Sequence, residues 1–178
     1  TLLGEATLLS ANELLKERKE RLGMQSSAVQ KDVVVQATEV DFGKIGTPEI
    51  YLGYALNRGN VVKLEREKVA SYKLPAQADV NRVALAGGWL SKPDFIELAS
   101  EDGDLVLTYQ AKTVNLVASS LEGSELWVIV DDIPVTEQNK GTDVTESAVL
   151  VKDSRLYNLL ADQNYGIHTL RVKAKKGL

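Results

Sequence analysis

Short apolar runs of β type follow one another from residue 33 onward, and this pattern limits the folds open to the chain more than any other feature. Turn residues separate the runs at short intervals. The runs are 33–40, 60–65, 69–74, 82–90, 94–100, 104–109, 112–120, 125–132, 147–153 and 166–174. Many short, evenly punctuated strands predict a mostly β fold, a jelly-roll β-sandwich, rather than alternating strands and helices.

Glycines give two local predictions within these runs. Asp102-Gly103 lies between two runs and predicts a tight hairpin turn, since Asp and Gly tolerate the positive φ that such turns need. Gly87-Gly88 falls inside a run and indicates a bulge or a close backbone approach. No phosphate-binding loop is predicted there, because the P-loop pattern is absent.

The first 46 residues predict a short α-helix and a connecting segment. Ser10 and Glu13 form a capping-box pattern, and Gly23 stands where a helix ends, which predicts a helix over 10–23. Leu15 and Leu22 lie on its narrow apolar stripe. We expect this helix to dock through those leucines.

Composition excludes several functions. The net charge is −4 and the isoelectric point is near 5.2, so nucleic-acid binding is disfavoured. The longest apolar runs are far shorter than the roughly 20 residues that span a bilayer, so no membrane contact by this segment is expected. The chain has no cysteine, which removes thiol catalysis, disulfides and thiolate metal sites. No cofactor is predicted.

The single histidine and the carboxylates carry little catalytic signal. His168 shares a strand face with apolar neighbours, which predicts a partly buried, hydrogen-bonded residue rather than a catalytic base. With 25 acidic residues, a hydrolytic acid and base pair stays an open alternative.

An acidic cluster offers weak metal candidates. Asp131, Asp132 and Asp143 could supply oxygen ligands to calcium, but their spacing does not match a calcium loop. Pro134 follows the two adjacent aspartates, and Asp is common in turns at strand ends. We therefore favour a turn at 131–132 and predict no metal site.

Aromatic residues are the candidates for ligand binding, because sugar rings stack on them through their apolar faces. Trp127 is favoured because it points away from the more regular apolar side of its strand. The alternative places these aromatics in the core. The full candidate set pairs three aromatic with three polar residues: Trp127, Trp89, Tyr109, Asn115, Gln110 and Lys112.

Six segments together resemble the C-terminal domain of DipZ-type thioredoxin-family proteins, which are similar to thiol-disulfide interchange and cytochrome c biogenesis factors. They are "TPEIYLGYA" (47–55), "LAGGWL" (85–90), "LTYQAKTVNLVASS" (107–120), "LWVIVDDIPV" (126–135), "DSRLYNLL" (153–160) and "GIHTLRVKA" (166–174). The resemblance implies a jelly-roll domain, similar to carbohydrate-binding modules, over 47–178. The family tends to finish with an aromatic strand, whereas this sequence finishes with "KAKKGL", so the resemblance implies that the last strand is lacking.

The resemblance also implies a setting. The domain would follow a thioredoxin unit outside the cytoplasmic membrane of a bacterium, within a membrane-anchored or exported thiol-disulfide oxidoreductase. Its partners would be cell-envelope carbohydrate, the thioredoxin domain of the same parent chain, or a client protein. This chain by itself would not be an enzyme. The alternatives are a carboxylate-dependent hydrolase and a purely structural or dimerisation module.

Overall fold

A computed structural model describes residues 42–178, and all structural statements below concern these residues. A 3-10 helix at Phe42–Lys44 precedes eight strands. The strands are β1 (Val69–Tyr72), β2 (Val83–Ser91), β3 (Ile96–Leu98), β4 (Asp102–Ala118), β5 (Ser124–Val130), β6 (Ile133–Pro134), β7 (Ala148–Val151) and β8 (Arg155–Lys175). The predicted helix over 10–23 and the predicted strand over 33–40 lie outside the described residues.

All eight strands belong to one antiparallel sheet. Its order is β1-β2-β4-β8-β5-β6, with β3 added on β2 and β7 added on β5. The prediction of a mostly β fold is confirmed, while the two-sheet jelly roll stays a prediction. No helix in the described part of the chain is long and apolar enough to cross a membrane.

The centre of the sheet is a long ribbon formed by β4 and β8. It runs from the pair Asp102 and Lys175 to the pair Ala118 and Arg155. The register is interrupted after Ala111, where residues 162–165 of β8 have no partner in β4. The sequence runs 104–109 and 112–120 are therefore one strand, and the first half of β8 had no predicted counterpart.

β2 changes its neighbours at Gly87. Residues 83–86 pair with β4, whereas 87–90 pair with β1, and 89–91 pair with β3 on the other side. Gly87 has a φ of +96°, a conformation that glycine adopts without strain. A side chain there would meet the backbone oxygen of Asp102 at 2.7 Å. The prediction that the glycine pair marks an irregularity with a close approach is confirmed.

The hairpin predicted at Asp102-Gly103 is wrong. Both residues lie inside β4, and Gly103 is buried rather than at a turn. An added Cβ at Gly103 would collide with the side chain of Leu98 and approach the ring of Trp89 to 3.0 Å. Glycine is needed here for packing space and not for a turn conformation.

One hydrophobic cluster forms the core. It draws on one face of the sheet, as the alternation in β5 shows: Leu126, Val128 and Val130 are buried, and the residues between them are more exposed. The largest fully buried side chains are Trp89 of β2 and Tyr157 of β8. On the opposite face, Ala84 and Val106 are also buried although they lie outside this cluster, whereas Trp127 and Lys173 are at least partly exposed.

Candidate functional site

Trp127 lies on the outer face of β5. It is partly exposed, while its neighbours Leu126 and Val128 are fully buried. The prediction that Trp127 points away from the regular apolar side of its strand is confirmed. Its indole therefore lies outside the core cluster.

The register of the sheet builds a row of side chains beside Trp127. Trp127 pairs with Lys173 of β8, and Lys173 pairs with Asp104 of β4. Asp104 in turn pairs with Ala86 of β2. Directly paired residues point to the same face, and strands are about 4.8 Å apart, so this row spans about 14 Å across the sheet.

This row forms the floor of an open groove of about 790 Å³, which we call the Trp127 groove. Ile129, Pro134 and Ser147 line it near Trp127. Ala86 and Gly87 keep its far end shallow because they have little or no side chain. A concave surface of this volume is within the range of ligand sites.

The charged groups of the Trp127 groove differ in their partners. The Lys175 ammonium forms an ion pair with the Asp102 carboxylate. Within residues 42–178, neither the Asp104 carboxylate nor the Lys173 ammonium has a hydrogen-bond or ion-pair partner. One carboxylate and one ammonium beside an aromatic ring are thus available to the hydroxyl groups of a ligand.

Two tight turns frame this part of β5. Asp131 and Asp132 connect β5 to β6 and both have positive φ, at +50° and +62°, as a two-residue hairpin of type I′ requires. Glu146 and Ser147, at +48° and +67°, form a second such turn before β7. The predicted turn at 131–132 is confirmed. Sequence reasoning missed the second turn, because neither residue is a typical I′ residue.

The other two aromatic candidates are buried. Trp89 is 2% exposed, and its indole N–H donates to the carbonyl of Ala86 at 2.8 Å. Tyr109 is 3% exposed, and burial raises the pKa of its phenol, with the charges of Asp131 and Asp162 raising it further. Neither ring can stack on a sugar in this structure. Both belong to the core cluster, as the alternative interpretation predicted, and they are no longer candidates for ligand binding.

The three polar candidates lie away from the Trp127 groove, on the β4–β8 ribbon. The backbone N–H of Gln110 donates to the hydroxyl of Thr47 at 2.7 Å. Lys112 lies at the interruption of the ribbon. The side-chain oxygen of Asn115 accepts from the Asn158 amide at 2.8 Å. None of the three lines the groove, so the predicted cluster is not assembled.

His168 forms a pair with Asp131. Its Nδ1 is 2.7 Å from Oδ2 of Asp131, and the N–H of Thr169 donates to Oδ1 at 2.8 Å. Burial by itself raises the pKa of Asp131, but the bonds from Thr169 and His168 outweigh it and lower the pKa overall. The described residues give His168 no hydroxyl partner, so the pair fastens the β5–β6 turn to β8. The prediction of a partly buried, hydrogen-bonded histidine is confirmed.

Asp143 has a different set of partners. Its Oδ1 lies 2.7 Å from the Arg155 guanidinium, and its Oδ2 accepts from the N–H of Asn158 at 2.7 Å. These contacts hold the pKa of Asp143 below its usual value, with Arg155 the larger cause. Among residues 42–178 the structure brings no three potential ligands together, so Asp131, Asp132 and Asp143 do not form a metal cluster.

Asp104 and Lys173 are the site residues that sequence reasoning missed. The alternation of β4 places Asp104 on the face opposite the buried Leu107 and Tyr109, and this much can be read from the sequence. Their position beside Trp127 depends on pairing between distant strands. No local signal in the sequence specifies that register.

The fold and the groove define a class: a β-rich domain on one antiparallel sheet, with an aromatic groove on its outer face. Residues 47–178 match the model of the thioredoxin-like C-terminal domain family, and the chain belongs to that family. A search of curated proteins found no match. The predicted resemblance is thereby confirmed at the level of a thioredoxin-family C-terminal domain.

Proposed function

We propose that this chain is a non-catalytic recognition domain that binds carbohydrate of the bacterial cell envelope in the Trp127 groove. The parent protein in this proposal is a DipZ-type, membrane-associated thiol-disulfide interchange protein, with the domain on the extracytoplasmic side. Family membership supports an accessory role within a thioredoxin-family protein. The absence of cysteine supports a role other than thiol exchange for this chain.

The observation that carries the binding proposal is the position of Trp127. A partly exposed indole in a groove offers a flat apolar surface to the C–H face of a sugar ring. Asp104 and Lys173 stand beside it and can accept from and donate to sugar hydroxyls. A row about 14 Å long suits an extended oligosaccharide lying across the strands better than a single sugar.

A jelly-roll arrangement is part of the same proposal. Strands that pass from one sheet to another do so at bends and bulges. β2 changes neighbours at Gly87, and the β4–β8 ribbon is interrupted after Ala111. These two irregularities are the features that support it.

Binding is favoured over hydrolysis by the placement of the carboxylates in the groove. A glycosidase needs an acid and a second carboxylate on opposite sides of the bond that is cleaved. Asp102 and Asp104 are the carboxylates that line the groove, and they lie two residues apart on the same strand. Asp102 is also engaged by Lys175. This arrangement suits recognition of hydroxyl groups.

The test is calorimetric titration of the chain with peptidoglycan fragments and with neutral oligosaccharides of two to six units. We expect weak binding that strengthens with oligosaccharide length and becomes about tenfold weaker in Trp127→Ala, which corresponds to 1.4 kcal/mol. Trp127→Phe is the matched control, because it keeps an aromatic face and should retain most of the affinity.

Fluorescence separates a binding residue from a packing residue. The chain has two tryptophans, and Trp89 is buried, so a shift of emission on adding glycan reports on Trp127. Trp127→Ala should cost less stability than the roughly 3–5 kcal/mol of a buried tryptophan. No heat and no spectral change with any glycan, together with a severely destabilised Trp127→Ala, would overturn the proposal.

A further inference from the structure

A second groove lies between β3 and the connection from β4 to β5, and we call it the β3 groove. It has a volume of about 650 Å³, and Ala174 is the lining residue that it shares with the Trp127 groove. Its apolar floor includes Leu105 and Leu116, which are partly exposed, and it is bordered by Trp89 and Val172, which are each 2% exposed. The floor residues belong to the core cluster or pack against it, so the groove opens toward the core.

Large apolar side chains at the rim of the β3 groove are exposed. Phe95 is 48% exposed, Val117 is 73% exposed, and Leu121 is fully exposed. The three residues line the same groove from opposite sides. Clustered exposed apolar residues at a concave surface mark an interaction site, whereas scattered single ones do not.

The β3 wall presents unpaired backbone groups to this groove. The Lys92 N–H donates to the Phe95 carbonyl at 2.9 Å, and the Ala99 N–H donates to the Gly88 carbonyl at 2.8 Å. In this register Phe95 and Ala99 are therefore residues whose backbone groups bond to β2. Because bonding alternates along an antiparallel strand, Ile96 and Leu98 direct their N–H and C=O groups away from β2. Leu98 N–H donates to the carbonyl of Leu178 at 2.9 Å.

The hydrogen bond between Leu98 and Leu178 shows that the free edge of β3 can pair with an additional extended segment. Leu178 packs against the core while its carbonyl pairs with β3, as a residue of an added strand would do. Ile96 has no such neighbour on this side among residues 42–178. The opposite wall is also a strand edge, since Thr113–Ala118 pair with β8 alone among the described strands.

The charge of the rim narrows the choice of partner. Asp94, Glu97 and Glu122 line the groove and form no ion pair with another described residue. Lys176 is the basic residue of the rim, and its ammonium is paired with Glu101 at 3.2 Å. The rim therefore has an excess of unpaired negative charge.

We propose that the β3 groove binds an extended peptide segment of a partner protein. The segment pairs with the free backbone groups of Ile96 and places an apolar side chain at every second position on the groove floor. Main-chain hydrogen bonds give affinity in this mode of recognition, and pockets for alternate side chains give specificity. The acidic rim selects segments that are flanked by Lys or Arg.

The test uses a fluorescein-labelled peptide of alternating Val and Thr with a Lys at each end, measured by anisotropy against the full chain. We expect saturable binding that weakens with added salt. Phe95→Glu and Leu121→Glu should each weaken it at least tenfold. Ile167→Glu is the matched control, since Ile167 is 62% exposed but lies outside the groove, and it should bind as the native chain does.

Two further measurements separate this proposal from the alternatives. A peptide N-methylated on the backbone amides that face β3 should lose binding, and Trp127→Ala should leave peptide binding unchanged whatever its effect on glycan. Absence of an anisotropy change, unchanged binding of the N-methylated peptide, or unchanged binding by Leu121→Glu would overturn the proposal. So would sedimentation showing a dimer that Leu121→Glu dissociates, because the occupant would then be a second copy.

Discussion

Tyr157→Phe removes one hydroxyl from the turn between β7 and β8 and should destabilise the domain measurably. The Tyr157 ring is 1% exposed, and its hydroxyl donates to the carbonyl of Asp153 at 2.9 Å. The same oxygen accepts from the N–H of Lys152 at 3.1 Å. A net hydrogen bond contributes about 0.5–1.5 kcal/mol, so the loss of two gives about 1–3 kcal/mol. The contact of Arg155 with the ring, 3.8 Å to its centroid, is kept.

Urea denaturation followed by circular dichroism measures this loss of free energy, and in a thermal scan Tm should fall by about 2–12 °C. The matched control is Tyr51→Phe, because the Tyr51 hydroxyl bonds the exposed carboxylate of Glu49 at 2.9 Å. That variant should stay within about 0.5 kcal/mol of the native chain. A Tyr157→Phe variant as stable as the native chain, or a control that costs as much, would refute the role given to the Tyr157 hydroxyl.

Three other outcomes are expected. Gly141→Ala should lower the free energy of unfolding by about 3 kcal/mol or more, because the added Cβ would collide with the backbone of Asn158. Gly59→Ala is the control: the added Cβ meets no other atom, so only the strain of a φ of +89° remains, and the cost should be about 1 kcal/mol. The pKa of Asp143 is lowered in the folded chain, so the stabilisation by its carboxylate is complete above the unfolded pKa of about 4 and is lost as pH falls through the folded pKa. The difference in urea stability between the native chain and Asp143→Asn should therefore shrink below pH 4. Having no cysteine, the chain should not accelerate the reduction of insulin by dithiothreitol, and acceleration would contradict the proposed non-catalytic role.

Local sequence signals predicted the elements of this fold better than their connections. Alternation in β5 assigned its two faces correctly, since it depends only on neighbouring residues. Gly103 shows where such local signals fail. The pair Asp102-Gly103 is typical of a turn, but glycine is required here because Leu98 and Trp89 occupy the space that a side chain would need. Such packing contacts come from residues distant in sequence. The first half of β8 was missed because it forms a strand mainly through its pairing with β4.

The difference between signals from neighbouring residues and contacts between distant residues also explains which part of the candidate site was predicted. Trp127 could be placed on the outer face from the pattern of its own strand. Which residues lie beside it is determined by the register between β5, β8 and β4. In the same groove, the ion pair of Lys175 and Asp102 joins residues 73 positions apart. A register one residue different would turn Asp104 and Lys173 toward the core, where unpaired charges are costly. Burial of Leu107 and Val172 on the other face therefore fixes the polar row of the groove, and the ligand-facing charges follow from the packing of the core.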